Sequence, residues 1–414
     1  MKRRVVVVGA GIVGLATAYY LVKSGAQVTV VDRDPDALCA SMGNAGGIAV
    51  TEVVPASAPG VWWRIFGWMS DPLGPLAVRP SHVPKLLPWL VRFATSSTAA
   101  EVERISRALA LLNRRVYQDL VPMLEELALE EHLHRKGALS LYETEEGYRR
   151  DSAEWARKRS LGIEAEELTG NHAREMEPAL GSRVHRAVFT PQWSHVSDPR
   201  QLVQGLRQWL VGQGGALLRG DVHDLTVGAL AGLTVHVTAA DAIRTECVVI
   251  AAGAWSGNLA RCLGDRVLLE SERGYNLTLP SPGVMVGREL IFAEHKFVAT
   301  PLSCGIRIGG AAEFGGLDAS ADFRRSDALA HLARRYLPDL QTDGGIRWAG
   351  HRPTTPDSLP VICRSPHHAN VFYAFGHGHL GLTQAATTGR IVRDLVFQQP
   401  TVIDVGPYDV RRFN

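Results

Sequence analysis

The stretch Val5-Val6-Val7-Val8-Gly9-Ala10-Gly11-Ile12-Val13-Gly14 decides the fold class. Four β-branched residues in a row read as a short strand buried on both faces. The glycines that follow have separate tasks: Gly9 permits a tight turn, Gly11 lets the backbone approach a pyrophosphate, and Gly14 lets a helix pack close to the strand. Residues 12–23 have helical content, and residues 28–31 are a second buried run that ends at Asp32. Strand, glycine turn, helix and strand make a βαβ unit. Its helix start presents free N–H groups and partial positive charge to phosphates. Asp32 lies 18 residues after Gly14, where a carboxylate accepts hydrogen bonds from ribose hydroxyls and repels a 2′-phosphate. This context predicts a dinucleotide site.

Farther along the chain, Val102, Ile105, Leu109, Leu112, Val116, Leu120, Met123 and Leu127 recur at steps of three and four. They predict one long helix over 101–127, with Thr98 and Glu101 as a capping box at its start. Asp198 ahead of Pro199 reads as another helix N-cap. Residues 248–252 are a further buried β-type run followed by Gly253, and residues 371–375 are a last one, leading into 376–381 and a helix over 383–397. Between them, residues 267–312 alternate strand-like runs with Gly and Pro turns. Nucleotide-type strands therefore recur near the start, middle and end. The reading is an α/β chain with a discontinuous Rossmann-like domain (1–60, 190–264 and 345–400). A mixed-sheet α+β domain (61–189 and 265–344) is inserted into it as the substrate domain.

Composition narrows the function. The 414 residues are 46% hydrophobic and 21% charged, which excludes a disordered or collagen-like chain. A formal charge of +2 with no long basic run offers nucleic acid no field to bind. The five cysteines (Cys39, Cys247, Cys262, Cys304 and Cys363) are scattered, odd in number and without a C-x-x-C. Neither a disulfide framework nor a metal site is expected, and a reducing, cytoplasmic setting fits better. Met1-Lys2-Arg3-Arg4 starts like a signal segment, but Gly9 breaks the apolar run after residues 5–8. No stretch reaches the roughly 18 to 20 apolar residues of a spanning helix. Residues 61–94 carry Trp62, Trp63, Phe66, Trp68, Trp89 and Phe93 among charges and prolines. They read as a cap over an active site, with a peripheral membrane patch at the inner membrane as the alternative.

Further motifs carry a family resemblance: Ser41-Met42-Gly43-Asn44-Ala45-Gly46-Gly47, residues 248–256 (VVIAAGAWS), Glu272-Arg273-Gly274-Tyr275, residues 348–357 (WAGHRPTTPD) and residues 376–383 (GHGHLGLT). Over nearly its whole length the chain resembles the D-amino-acid oxidase-like flavoprotein superfamily. It is most similar to the D-amino-acid dehydrogenase branch, with glycine and sarcosine oxidases as relatives. The resemblance implies FAD, held by Gly9, Ala10, Gly11, Ile12, Val13, Gly14, Asp32, Arg33, Ser41, Asn44, Ala45, Gly46, Gly47, Val222, Ala252, Gly253 and Trp255. Gly378, His379, Leu380, Gly381, Leu382 and Thr383 complete that set. There the glycines let the backbone approach a flat ring, and the helix start favours the negative charge of a reduced flavin. Residues 349–352 contain no cysteine, so non-covalent FAD is expected.

The same resemblance implies a substrate carboxylate gripped by Arg352 through paired hydrogen bonds. Tyr275 is a second donor and Arg273 a loop holder. His379 is the one catalytic candidate. The implied reaction is hydride transfer from the α-carbon of a D-amino acid to flavin N5, with a quinone, an electron carrier or O2 as acceptor. Segments 41–47 and 377–383 look like those of D-hydroxyproline and D-proline dehydrogenases, so a cyclic secondary amine is the favoured substrate. The alternatives are an oxidase of glycine, sarcosine or another N-substituted amino acid, and a non-catalytic flavoprotein among the partner subunits of a dehydrogenase complex. Cys363 stands where relatives usually have glycine, and the sequence offers no reason for it.

Overall fold

The computed structural model describes residues 2–58, 73–228, 232–238 and 240–414. Trp62, Trp63, Phe66 and Trp68 lie outside the described residues. A six-stranded sheet runs in the order Ala216–Arg219, Gln27–Asp32, Arg4–Val8, Cys247–Ile250, Val371–Phe375, Val361–Arg364. All neighbours are parallel except the last pair. Alternate residues of the same strands serve opposite faces. Val5, Val7, Val28, Val30 and Val249 pack under the helices Ile12–Lys23 and Gly381–Val396. Val6, Val8, Val31, Val248 and Ile250 pack against the three-stranded sheet Val222–Val227, Leu233–Val237, Ile243–Thr245. Each such side chain contributes about 1.5–3 kcal/mol relative to exposure. Continuous β-branched runs are therefore stable here only because both faces are covered.

The second layer is a mixed sheet of nine strands. It runs Ile346–Thr354, Glu270–Leu279, Gly305–Phe314, Phe297–Leu302, Glu289–Phe292, Ala138–Tyr142, Arg186–Thr190, Glu166–Thr169, with Leu76–Val78 beside Gly305–Phe314. The Glu289–Phe292 and Ala138–Tyr142 strands are parallel, as are Gly305–Phe314 and Leu76–Val78. Its core, including Leu139, Leu141, Phe292, Phe297, Ile306 and Ile308, lies against helix Arg324–Tyr336.

Two elements cross the expected boundaries. Ile346–Thr354 pairs along Glu270–Leu279 in the mixed sheet. The single helix expected over 101–127 is two, Ala99–Asn113 and Val116–Glu126, and their core-facing side chains join the cluster beneath Gly381–Val396. Thr98 does cap the first, accepting from Glu101 N–H at 3.3 Å. The break follows Asn113. Its Nδ2 donates to the carbonyls of Val50 and Glu52, and its Oδ1 accepts from Gln384. Periodicity does not encode such tertiary ties. Asp198 caps Pro199–Gly212 through Arg200 and Gln201 N–H. No described helix is long and apolar enough to cross a membrane.

Candidate active site

The first glycine turn is held by its own backbone. Gly9 has φ +111°, and a Cβ there would lie 2.3 Å from the Ala251 carbonyl oxygen. A Cβ on Gly14 would lie 2.0 Å from the Gly9 carbonyl oxygen. No side chain fits at either position. Asp32 fastens the turn: Oδ2 accepts from Ala10 N–H at 2.7 Å and Oδ1 from Asp34 N–H at 2.9 Å. Ser41 Oγ accepts from Ile12 N–H at 2.9 Å. The hydroxyl expected to run along a pyrophosphate thus also caps the helix that would bind it.

A cavity of about 1390 Å3 opens from this turn, larger than the roughly 300–1,000 Å3 of an ordinary ligand pocket. Gly9, Gly11, Ile12, Val13, Asp32 and Arg33 line it near the turn, with Val222 nearby. Ser41, Asn44, Ala45 and Gly47 follow, then Ala252, Gly253 and Trp255. Gly378, His379, Gly381 and Leu382 line it at the second glycine turn, and Tyr275 and Arg352 on the mixed sheet. Five expected residues stand behind the wall. Ala10 and Leu380 are buried apolar packing. Gly14 abuts Gly9, Gly46 N–H donates to Asn44 Oδ1 at 2.7 Å, and Thr383 Oγ1 accepts from Ala49 N–H at 2.9 Å. The volume of the cavity and its backbone-lined start fit a dinucleotide.

Segment 41–47 is also tied from the mixed sheet. Buried Arg307 donates to the carbonyls of Asn44 at 2.5 Å and Met42 at 3.4 Å, and Asn276 Nδ2 donates to that of Gly43 at 2.7 Å. Neither residue is legible in the sequence, because each sits mid-strand among apolar neighbours. Near Val222, the Arg33 guanidinium lies 3.7 Å from the Trp255 ring centroid, a cation–π contact. Trp89 and Phe93, from the expected cap, stack at 5.1 Å and line the cavity with Leu86.

At the second glycine turn, His377 and His379 part ways. His377 is buried, with Nε2 2.9 Å from Thr388 Oγ1, and burial holds its pKa at about 3. His379 opens to the cavity. The surrounding protein lowers its pKa, while Glu52 and Glu272 pull the other way.

Arg352 is partly exposed and lies over Gly274, where a Cβ would come within 2.5 Å of its guanidinium carbon. Its Nη1 is 2.8 Å from Glu272 Oε1, and Thr354 Oγ1 donates to the other Glu272 oxygen at 3.2 Å. The guanidinium is therefore aligned by a carboxylate while part of it faces the cavity. Tyr275 is placed differently from the expectation. It is 1% exposed, and its hydroxyl donates to Glu313 and accepts from Asp322 N–H at 3.1 Å. That proton is already committed, which makes Tyr275 a core aromatic. Arg273 donates to the Ala319 carbonyl and lies 3.6 Å from Glu313, holding the loop as read.

Beyond His379 the cavity continues into a recess that sequence reading missed. Lys158 sits between Glu52 and Glu154, with Glu289, Trp193, Tyr142, Trp155, Lys296 and Asp151 around it. A buried lysine in a charge-rich helix (Ser152–Ser160) gives no sequence signal. No cluster of three metal-ligating side chains occurs among the described residues. Cys363 is buried under the C-terminal turn, its Sγ accepting from Val410 N–H at 3.4 Å, and burial pushes the thiol up to about 12.

Comparison with known proteins gives three results. The family model described as FAD dependent oxidoreductase matches residues 4–395. The chain is 32% identical over 418 residues to a D-amino-acid oxidase of Bradyrhizobium diazoefficiens, covering 99% of each chain. It is 33% identical over 434 residues to a D-amino acid dehydrogenase of Paramagnetospirillum magneticum, again over 99% of each. Among solved structures, glycine oxidase from Geobacillus kaustophilus superposes with a TM-score of 0.78 at 23% identity, covering 99% of both chains. That last likeness speaks to the fold.

Proposed function

This chain belongs to the FAD dependent oxidoreductase family, and on that footing we propose that it oxidises a D-amino acid at its α-carbon, passing the electrons to a carrier or quinone. The observation that carries the reading is one cavity shared by the backbone-built glycine turn, the turn at 376–382 and the part-exposed guanidinium of Arg352. Bound FAD supplies a hydride acceptor at N5.

The chain's own residues do the rest. The 9–14 turn and Asp32 would hold the nucleotide end, with segment 41–47 and residues 378–383 toward the ring. Arg352, aligned by Glu272, would take the substrate carboxylate and fix the α-carbon. Leu86, Trp89 and Phe93 would exclude water from the reacting centre. His379 opens to the same cavity, where burial lowers its pKa, so it would present its imidazole beside the reacting amine. Positioning supplies most of the catalysis, because the substrate amine need only be neutral to release hydride.

Stopped-flow reduction of the purified yellow protein tests this, with D-amino acids, cyclic imino acids and N-alkylglycines as substrates. D-Proline and D-hydroxyproline belong in the panel because of segments 41–47 and 377–383. Bleaching without peroxide on re-aeration is expected. Absence of bleaching by the whole panel would sink the reading. Full peroxide yield would favour the second reading, an oxidase using O2, which the relative named D-amino-acid oxidase supports.

A further inference from the structure

We propose that the recess beyond His379 accepts a positively charged end group, so that the preferred substrate is a D-amino acid with a basic side chain. This rests on the D-amino-acid reading above. Lys158, 4% exposed at its side chain, has Nζ 2.9 Å from Glu52 Oε1 and 3.1 Å from Glu154 Oε1. One ammonium serves two carboxylates, which leaves one negative charge over. Lys296 faces Asp151 at 3.9 Å, and that pair adds no net charge.

A second, separate deficit is Glu289. It lines the same cavity, is 3% exposed, and accepts from the Trp193 indole N–H at 2.9 Å, yet among the described residues no cation pairs with it. Burial first, and then the nearby charge of Glu52, push its carboxyl up to about 8. Glu289 therefore holds its proton until a cation arrives, because a buried carboxylate without a partner is costly. An ammonium or guanidinium entering the recess brings one positive charge: it would pair with Glu289, whose proton leaves to solvent, while the surplus carboxylate charge beside Lys158 draws it in.

The surroundings suit such a guest. Tyr142, Trp155, Trp193 and Phe297 offer apolar wall for a methylene stem. His379 lies within electrostatic reach of Glu272 and Arg352 and of Glu52 and Lys158 alike. A substrate with its carboxylate at Arg352 would thus run past His379 into the recess. An acidic side chain would meet the excess carboxyls and be refused.

The test is anaerobic flavin reduction of the holoenzyme by D-lysine, D-norleucine and D-glutamate, which separates end-group charge from chain length. The specificity constant for D-lysine is expected to exceed that for D-norleucine roughly tenfold or more, with D-glutamate lowest. Glu289→Gln is expected to shrink the D-lysine to D-norleucine ratio. Glu154→Gln should do the same, and carries the test alone if the first variant does not hold FAD. D-Norleucine matching or beating D-lysine overturns this proposal while leaving the D-amino-acid reading intact. A ratio that survives both substitutions overturns the assignment to these residues. If only L-enantiomers reduce the flavin, the D-amino-acid reading falls, and the L-lysine to L-norleucine ratio still decides the recess.

Discussion

Around Gly9 the cavity wall is backbone: Gly9 lies against the Ala251 carbonyl and Gly14 against the Gly9 carbonyl, with no space for a side chain at either. From Arg352 to Lys158 the same cavity is walled by ionisable side chains from five separate segments, carrying Glu52, Lys158, Glu289, Lys296 and Arg352. The first wall is set by sterics and hardly responds to pH or salt. The second is set by charge balance and can be retuned one residue at a time. The nucleotide end is therefore built for constancy, and the far end is where substrate choice is made.

Gly14→Val should break the backbone wall most severely. The new Cβ would have to sit 2.0 Å from the Gly9 carbonyl oxygen, and backbone cannot yield as a side chain can. We expect a loss of about 3 kcal/mol or more and protein purified without flavin colour. A yellow Gly14→Val protein with the wild-type melting temperature would mean that the turn is not the rigid element described.

Arg352→Met attacks the charged end and should leave the other untouched. FAD content and the visible spectrum should stay as in wild type, while kcat/KM falls roughly 100-fold, the effect of losing a charged hydrogen-bonded contact to substrate. Removing Arg352 also strands Glu272, its partner at 2.8 Å. Glu272→Gln in the same chain should therefore restore stability without restoring turnover. Unchanged kcat/KM in Arg352→Met would remove this residue from the site.

The contrast also explains what could be read from the sequence. Gly9, Gly14 and Asp32 are contiguous or fixed in spacing, and the steric demand acts on nearest neighbours, so the first 32 residues carry their own meaning. Arg352 was legible only through the resemblance of its segment. Tyr275 reads as a substrate donor because nothing in residues 272–275 reveals Glu313, which reaches it across the sheet. Glu52, Lys158 and Glu289 come together from distant segments. Each alone looks like an ordinary surface charge, and only folding shows that Lys158 and Glu289 are buried. The long helix failed at Asn113 for the same reason: its partners are 61 and more residues away.

A smaller effect separates the ends by pH. Glu289 keeps its proton in the folded chain up to about 8, against 4.5 when unfolded. Unfolding therefore releases a proton between these values, and stability falls as pH rises through them. His195 and His351 sit near 4 and His377 near 3 when folded, against 6.5 unfolded. They stay neutral in the folded chain while the unfolded chain takes up protons, so their contribution is lost as pH falls below 6.5. Of these four groups only Glu289 acts between pH 6.5 and 8. Over that interval wild type should lose about 1–2 kcal/mol relative to Glu289→Gln in urea titrations. Parallel curves would show that Glu289 is ionised in the folded state.

The smallest change probes the seam between the two kinds of wall. Ser41 joins Asp32 in completing the backbone end with a side chain, since its hydroxyl accepts the Ile12 N–H at 2.9 Å. Ser41→Ala removes that cap and leaves every close backbone approach intact. The expected cost is about 1 kcal/mol, as for other helix N-caps, read as a modest drop in melting temperature. The freed Ile12 N–H would still be available to a phosphate, so FAD affinity should fall by only a few-fold. If FAD binding were lost altogether, the nucleotide end would depend on a side chain after all, and the division between a steric end and an electrostatic end would no longer hold.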